Sequence, residues 1–186
     1  MEGFYSRSEL LSFGFKHLGN NVLISNKASL YNKSKMSFGD NVRIDDFCIL
    51  VGEVIIDDYV HIGAYTGLHA SMGTISIGKY STLSSNVAVY AASDDYSGNY
   101  MVNSMVPEEY KNIEMSDISI GRNVIVGTGS SILPGAVIPD GVAIGAMSLV
   151  KTELEPYSTY AGVPCRKIKN RSTRIQQLSE KFERER

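Results

Sequence analysis

Aliphatic residues recur at every sixth position through the second half of the chain. The pattern is cleanest from Ile120 to Glu155, which divides into IGRNVI, VGTGSS, ILPGAV, IPDGVA, IGAMSL and VKTELE. A period of six is a multiple of the two-residue alternation of a strand and drifts out of phase with 3.6 residues per helical turn, so each hexad reads as one short strand plus one corner. Three hexads close a lap, and the anchors restack: Ile120, Val126 and Ile132, then Ile138, Ile144 and Val150. Stacked laps with inward aliphatic rows describe an all-β fold, a parallel solenoid of three faces.

The same beat runs back through Ile77, Leu83 and Val89, through Ile56, Ile62 and Leu68, and through Phe38, Ile44 and Leu50. A weaker first lap sits at Leu18, Ile24 and Leu30. At about 4.7–4.9 Å between neighbouring strands, six laps make a prism on the order of 30 Å tall. Two extra residues precede Phe38, three precede Ile77, and a polar, tyrosine-containing excursion over 90–117 separates Val89 from Ile120. Loops of that length in compact domains are usually lids or binding loops, and this one is expected to reach away from its own prism onto a neighbour.

Both ends predict helices. Ser6-Arg7-Ser8-Glu9 has capping-box spacing ahead of Leu10, Leu11 and Phe13, so residues 1–17 are expected to cap one end of the prism. The beat stops at Glu155-Pro156, which bounds the solenoid at 18–155. An arm and helix over 156–186 follow, with Ile175, Leu178 and Phe182 on one stripe expected to pack against the prism.

Composition narrows the function. With 186 residues, 43% of them hydrophobic, and a net charge of −2, the chain is one domain with a sizeable core and no general attraction to nucleic acid. No apolar run is long enough to cross a membrane and MEGFYSRSEL lacks a signal-peptide core, so a cytoplasmic protein is expected. Cys48 and Cys165 are isolated and read as inert, buried thiols. His61 and His69 lack a third histidine in neighbouring laps, so no metal site is expected.

Hexads followed by AGVPCRKIK resemble the hexapeptide-repeat acyltransferases. NVRIDDFCIL, VHIGAYTGLHA, VYAASDDYSGNY, VPEEYKN and VAIGAMSLV narrow the resemblance to the enzymes that N-acylate dTDP-4-amino-4,6-dideoxyhexoses, those of the anthrose and viosamine type. The resemblance implies a left-handed coil and a homotrimer with active sites between adjacent prisms. It also implies acetyl-CoA as acyl donor and a place in surface-polysaccharide (O-antigen) assembly. A smooth prism has no deep pocket, whereas a cleft between two prisms roofed by a long loop supplies one.

Acyl transfer to a sugar amine needs a free-base amine beside a thioester, a site for the oxyanion and a proton for the departing thiolate. Many relatives that acetylate hydroxyls carry a His at the start of the long loop; this chain has Ser93-Asp94-Asp95 there. Asp94 is therefore the main candidate, orienting the amine, with Asp95 as its substitute; the bland role for both is to cap a turn. An ordinary aspartate, with a pKa of about 3.9, is a poor base for an ammonium group, so the proton is expected to end on sulfur. Ser84 is the second catalytic candidate, to bind the amine or the carbonyl oxygen. His69, one lap below Ser84, is a candidate cleft residue, at a position where relatives usually carry an aromatic.

Tyr65, Tyr90 and Tyr96 are candidate walls for the acceptor. Arg43, with Asp45 and Asp46, either meets a pyrophosphate or base or forms an intersubunit ion pair. For the donor, backbone amides at the small corners Gly127, Gly145, Ala146 and Ser148 are candidates for the pantetheine arm. Lys151, Arg166, Lys167 and Arg171 are candidates for the phosphates. The rivals are a sugar O-acetyltransferase, which would need a true general base, and a non-catalytic solenoid scaffold that binds no CoA.

Overall fold

The computed structural model describes residues 2–185 and is a parallel β-solenoid whose three faces carry the predicted anchors in register. On the first face Leu18, Phe38, Ile56, Ile77, Ile120 and Ile138 are successive partners. On the second, Ile24, Ile44, Ile62, Leu83, Val126 and Ile144 stack, and Tyr160 begins a seventh, partial turn. On the third, Leu30, Leu50, Leu68, Val89, Ile132 and Val150 stack. From Phe38 to Val150 every anchor is at most 3% exposed, while Leu18 and Leu30, at the open end, are half-buried. Each fully buried Ile or Leu contributes about 1.5–3 kcal/mol, so the inward rows supply the main stabilisation.

The edges between faces bend through single left-handed residues. The first edge carries Asn21, Asn41, Tyr59, Tyr80, Asn123, Gly141 and Tyr157, and the second Phe47, Tyr65, Asn86, Gly129 and Met147, all with positive φ. Close stacking of turns explains the small corners. A Cβ on Gly127 would lie 2.8 Å from the Cα of Ala146, so this glycine is a packing requirement.

The departures from the beat are localised. The two extra residues before Phe38 are absorbed by a 3-10 turn at Lys33–Lys35. The three before Ile77 bulge at the third edge: Gly52 pairs with Ala70 but Glu53 with Thr74, leaving Ser71, Met72 and Gly73 outside the ladder. The excursion over 90–117 is a folded finger. Ala92–Ser93 pairs antiparallel with Glu114–Met115, Met101 bridges to Lys111, and Glu108–Tyr110 forms a 3-10 turn.

The N-terminal helix α1 (Arg7–Ser12) has the predicted reciprocal cap between Ser6 and Glu9. It buries Leu10, and an edge-to-face chain Tyr5, Phe13, Phe15, Phe38 closes the open end of the core. At the other end Ser158–Ala161 extends the second face and is covered by an antiparallel strand, Arg166–Asn170. Helix α2 (Arg174–Arg184) lies against the first edge through part of the predicted stripe: Phe182 docks and Ile175 is half-buried, while Leu178 stays 54% exposed. Its buried residue is Ser179, which accepts a hydrogen bond from Asn123 Nδ2 at 3.1 Å. Phe182 packs edge-on to Tyr59 and Tyr80, and Glu183 bonds Arg122 and the Tyr80 hydroxyl.

Candidate active site

The predicted site residues fall into two groups on different edges. Ser84 stands on the second edge. Its N–H donates to the Val126 carbonyl at 2.9 Å and its carbonyl accepts from Thr66 Oγ1 at 2.9 Å. Its hydroxyl makes no hydrogen bond among the described residues, so a fixed backbone presents a free Oγ. One and two turns towards the N-terminus on the same edge, Tyr65 and Phe47 stack with centroids 5.0 Å apart. On the second face of the same two turns, Arg43 Nε and His61 Nε2 each lie 2.7 Å from the Asp45 carboxylate. Burial pushes the Asp45 carboxyl up, but the hydrogen bonds from His61 and Arg43 outweigh it and hold the group below its ordinary value. Arg43 also faces the Phe4 ring, so its guanidinium is engaged within the chain.

Asp94 belongs to the third edge, at the root of the finger. It is exposed, and its carboxylate makes no hydrogen bond or ion pair among the described residues. With Ser71, Met72, Ser93, Glu108 and Lys111 it lines a cavity of about 290 Å³. Asp95 plays the bland role, accepting from Ser97 Oγ and from the Gly98 N–H at 3.0 Å, so the pair divides into a turn cap and a free acid. His69 sits with this group, not beside Ser84: its ring stacks on Tyr90 at 4.7 Å and 8°, and burial lowers its pKa, leaving a neutral imidazole at pH 7. Tyr96 is 94% exposed, and its side chain makes no hydrogen bond or ring contact among the described residues. Lys111 escaped the sequence reading. Its side chain is 4% exposed with Glu108 at 2.7 Å, and nothing periodic in the polar excursion marks it as buried.

The donor assignments change more. The N–H groups of Gly127 and Gly145 are spent on the Ile144 and Tyr160 carbonyls, both at 2.8 Å, so neither is free for a pantetheine arm. Ser148 is buried and bonds the Gly145 carbonyl at 2.7 Å; only Ala146 presents an exposed corner. Arg171 Nη1 donates to the carbonyls of Asn123, Gly141 and Val142 at 2.9, 3.0 and 3.3 Å, which makes it a structural clamp. Lys167 pairs with Glu155 at 2.6 Å. Lys151 and Arg166 are exposed and have no side-chain partner among the described residues.

A larger groove, about 450 Å³, runs along the first face past Ser37, Ile55, Ser76 and Ser119 and contains neither group. The third face, residues 87–91, keeps Ser84 and Asp94 roughly 15 Å apart at about 3.3 Å per strand residue.

A parallel solenoid built on this six-residue period defines a class by its fold, and sequence comparison agrees. The pattern described as "Bacterial transferase hexapeptide (six repeats)" matches residues 35–70. The chain is 42% identical over 177 residues, 94% of itself and 92% of its relative, to the dTDP-4-amino-4,6-dideoxy-D-glucose acyltransferase of Escherichia coli. The chain belongs to the hexapeptide-repeat acyltransferases.

Within that family its likeness is to nucleotide-sugar enzymes. AntD, an N-acyltransferase from Bacillus cereus, matches over 100% of both chains at 46% identity in two complexes. One is its S84A mutant with dTDP-4-amino-4,6-dideoxyglucose and coenzyme A, at TM-score 0.97. The other is its D94A mutant with dTDP and coenzyme A, at TM-score 0.98. AntD with dTDP and 3-hydroxybutyryl-CoA matches at 47% identity and TM-score 0.96, over 100% of this chain and 98% of that one. A relative of another activity, the putative lipopolysaccharide biosynthesis O-acetyl transferase WbbJ of Escherichia coli K12, is 29% identical over 77% of each chain.

Proposed function

We propose that this acyltransferase moves an acyl group from acyl-CoA to the amine of a dTDP-linked 4-amino-4,6-dideoxyhexose. The observation that carries the reading is the full-length likeness to the E. coli dTDP-sugar acyltransferase. The serine and aspartate altered in the AntD complexes have counterparts of the same type and number here, Ser84 and Asp94. Acetyl is the simplest acyl group; the 3-hydroxybutyryl-CoA held by AntD makes a hydroxyacyl donor the specific alternative.

The chain's own groups suit direct attack in a ternary complex. Asp94 accepts a hydrogen bond from the incoming amine and aims its lone pair at the thioester carbon. Ser84 Oγ–H donates to the carbonyl oxygen as it becomes an oxyanion. The C–N bond forms, the C–S bond breaks, and the proton released by nitrogen ends on sulfur, giving an amide and free CoA thiol. Neither cysteine takes part: both are buried, and burial raises Cys48 to about 11. Because Ser84 and Asp94 stand on separate edges, a shared site requires Ser84 of one protomer and Asp94 of its neighbour, which fits a cytoplasmic homotrimer with clefts between prisms. Lys151 and Arg166 remain the free cations for donor phosphates.

O-acetylation is the weaker reading, since the finger carries no histidine to deprotonate a hydroxyl. The test is thiol release from acetyl-CoA and 3-hydroxybutyryl-CoA against amino-sugar nucleotides and plain glycosides. Turnover confined to the amino-sugar nucleotides supports the reading, and turnover with hydroxyl acceptors refutes it.

A further inference from the structure

The left-handed corner positions of this solenoid favour residues with little to lose there. Asn21, Asn41, Asn86 and Asn123 occupy them, with glycines at Gly129 and Gly141. Bulky aromatics at such φ values are strained, and strained residues persist where something else requires the side chain. On the first edge the requirement is visible: Tyr59 and Tyr80, φ 58° and 63°, stack to seat Phe182 of helix α2. On the second edge Phe47 and Tyr65, φ 59° and 63°, form the same kind of stack, at 5.0 Å and 24°, yet no element among the described residues roofs it. The rings remain 46% and 59% exposed.

The stack is open on one side only. Lys27 Nζ lies over Phe47, 5.5 Å from its centroid, so the side facing the N-terminal end is covered. The free face of Tyr65 looks towards the next turn, where Asn86 and the unbonded hydroxyl of Ser84 stand on the same edge. An exposed aromatic step one turn from the hydroxyl proposed above as catalytic lies on the same edge as that hydroxyl, and a flat heteroaromatic ring is the ligand such a step takes.

We propose that Phe47 and Tyr65 form the platform on which the pyrimidine base of the nucleoside diphosphate stacks, holding the sugar end towards Ser84. The inference rests on the acyltransferase reading above and adds a base-binding position to it.

The strain supplies a discriminating variant. Tyr65→Asn restores the residue type common at these corners, so it should melt at or above the wild-type temperature while losing the stacking face. Calorimetric titration is expected to show dTDP bound about 10- to 100-fold more weakly by Tyr65→Asn. Affinity for CoA should be unchanged, and Tyr65→Phe should bind dTDP as the wild type does. Tyr65→Asn binding dTDP normally, with acyl transfer intact, overturns the platform alone. A drop in dTDP affinity that accompanies dissociation of the assembly, read by light scattering, also overturns it, because the rings would then be a subunit contact. A wild-type protein that neither binds dTDP nor turns over amino-sugar nucleotides overturns the acyltransferase reading and the platform with it.

Discussion

Arg171 separates a structural account of the C-terminal arm from a ligand-binding one. In sequence it sits in a basic run that suits CoA phosphates; in the fold its Nη1 bridges three carbonyls from two turns of the prism, at 2.9, 3.0 and 3.3 Å. Hydrogen bonds from a charged donor are worth about 1.5–3 kcal/mol each. The three share one nitrogen, and solvent reaches part of the side chain, so the sum is well below additive. Arg171→Met keeps the stem and removes the donors, with an expected cost of about 2–3 kcal/mol. At about 2–4 °C per kcal/mol for a domain of this size, the melting temperature should fall by roughly 4–12 °C. Calorimetry gives the shift, and thiol-release kinetics give KM for the acyl-CoA, which is expected to stay within about twofold of wild type. An unchanged melting temperature together with a KM raised about tenfold would return Arg171 to the phosphates and refute the clamp.

Three further outcomes follow from the same geometry. Co-expressing Ser84→Ala with Asp94→Asn, each nearly inactive alone, should restore up to about a quarter of wild-type activity, because random mixing leaves that share of clefts with both residues intact; no recovery would mean that both act within one protomer. His69 has a folded-state pKa below its unfolded value, so the unfolded chain binds its proton first and stability falls as pH drops from about 6.5 towards the folded value. His69→Phe keeps the stack on Tyr90 and should lose less stability than wild type between about pH 7 and 5 in denaturant titrations. Ile132→Ala, which opens a cavity at a fully buried rung, should cost about 2–5 kcal/mol without changing KM for either substrate.

The six-residue beat made the solenoid readable because an inward row must be aliphatic at every turn, and a hexad has no helical reading. The partners Ile77, Ile120 and Ile138 could be paired across a long insertion for that reason alone. The α1 cap was equally legible, since Ser6 and Glu9 satisfy each other locally. Directions of backbone N–H groups were not: the small residues at 127 and 145 look like ligand corners, while the fold spends their amides on its own ladder. The α2 stripe was legible only in part: Phe182 docks on the tyrosine stack, but Leu178 stays in solvent because the rest of the contact is a polar edge where Ser179 meets Asn123. Asp94 and Asp95 are indistinguishable by type, and only the turn geometry of Ser97 and Gly98 decides which one is free.

The measurement that bears most directly on the account is the rate of CoA release with dTDP-4-amino-4,6-dideoxyglucose as acceptor, for wild type beside Asp94→Asn. The account predicts turnover that requires the amine, an amide product, and a loss of about 10²-fold or more in kcat/KM for the variant. Turnover unaffected by Asp94→Asn, or transfer to a hydroxyl in place of the amine, would contradict it.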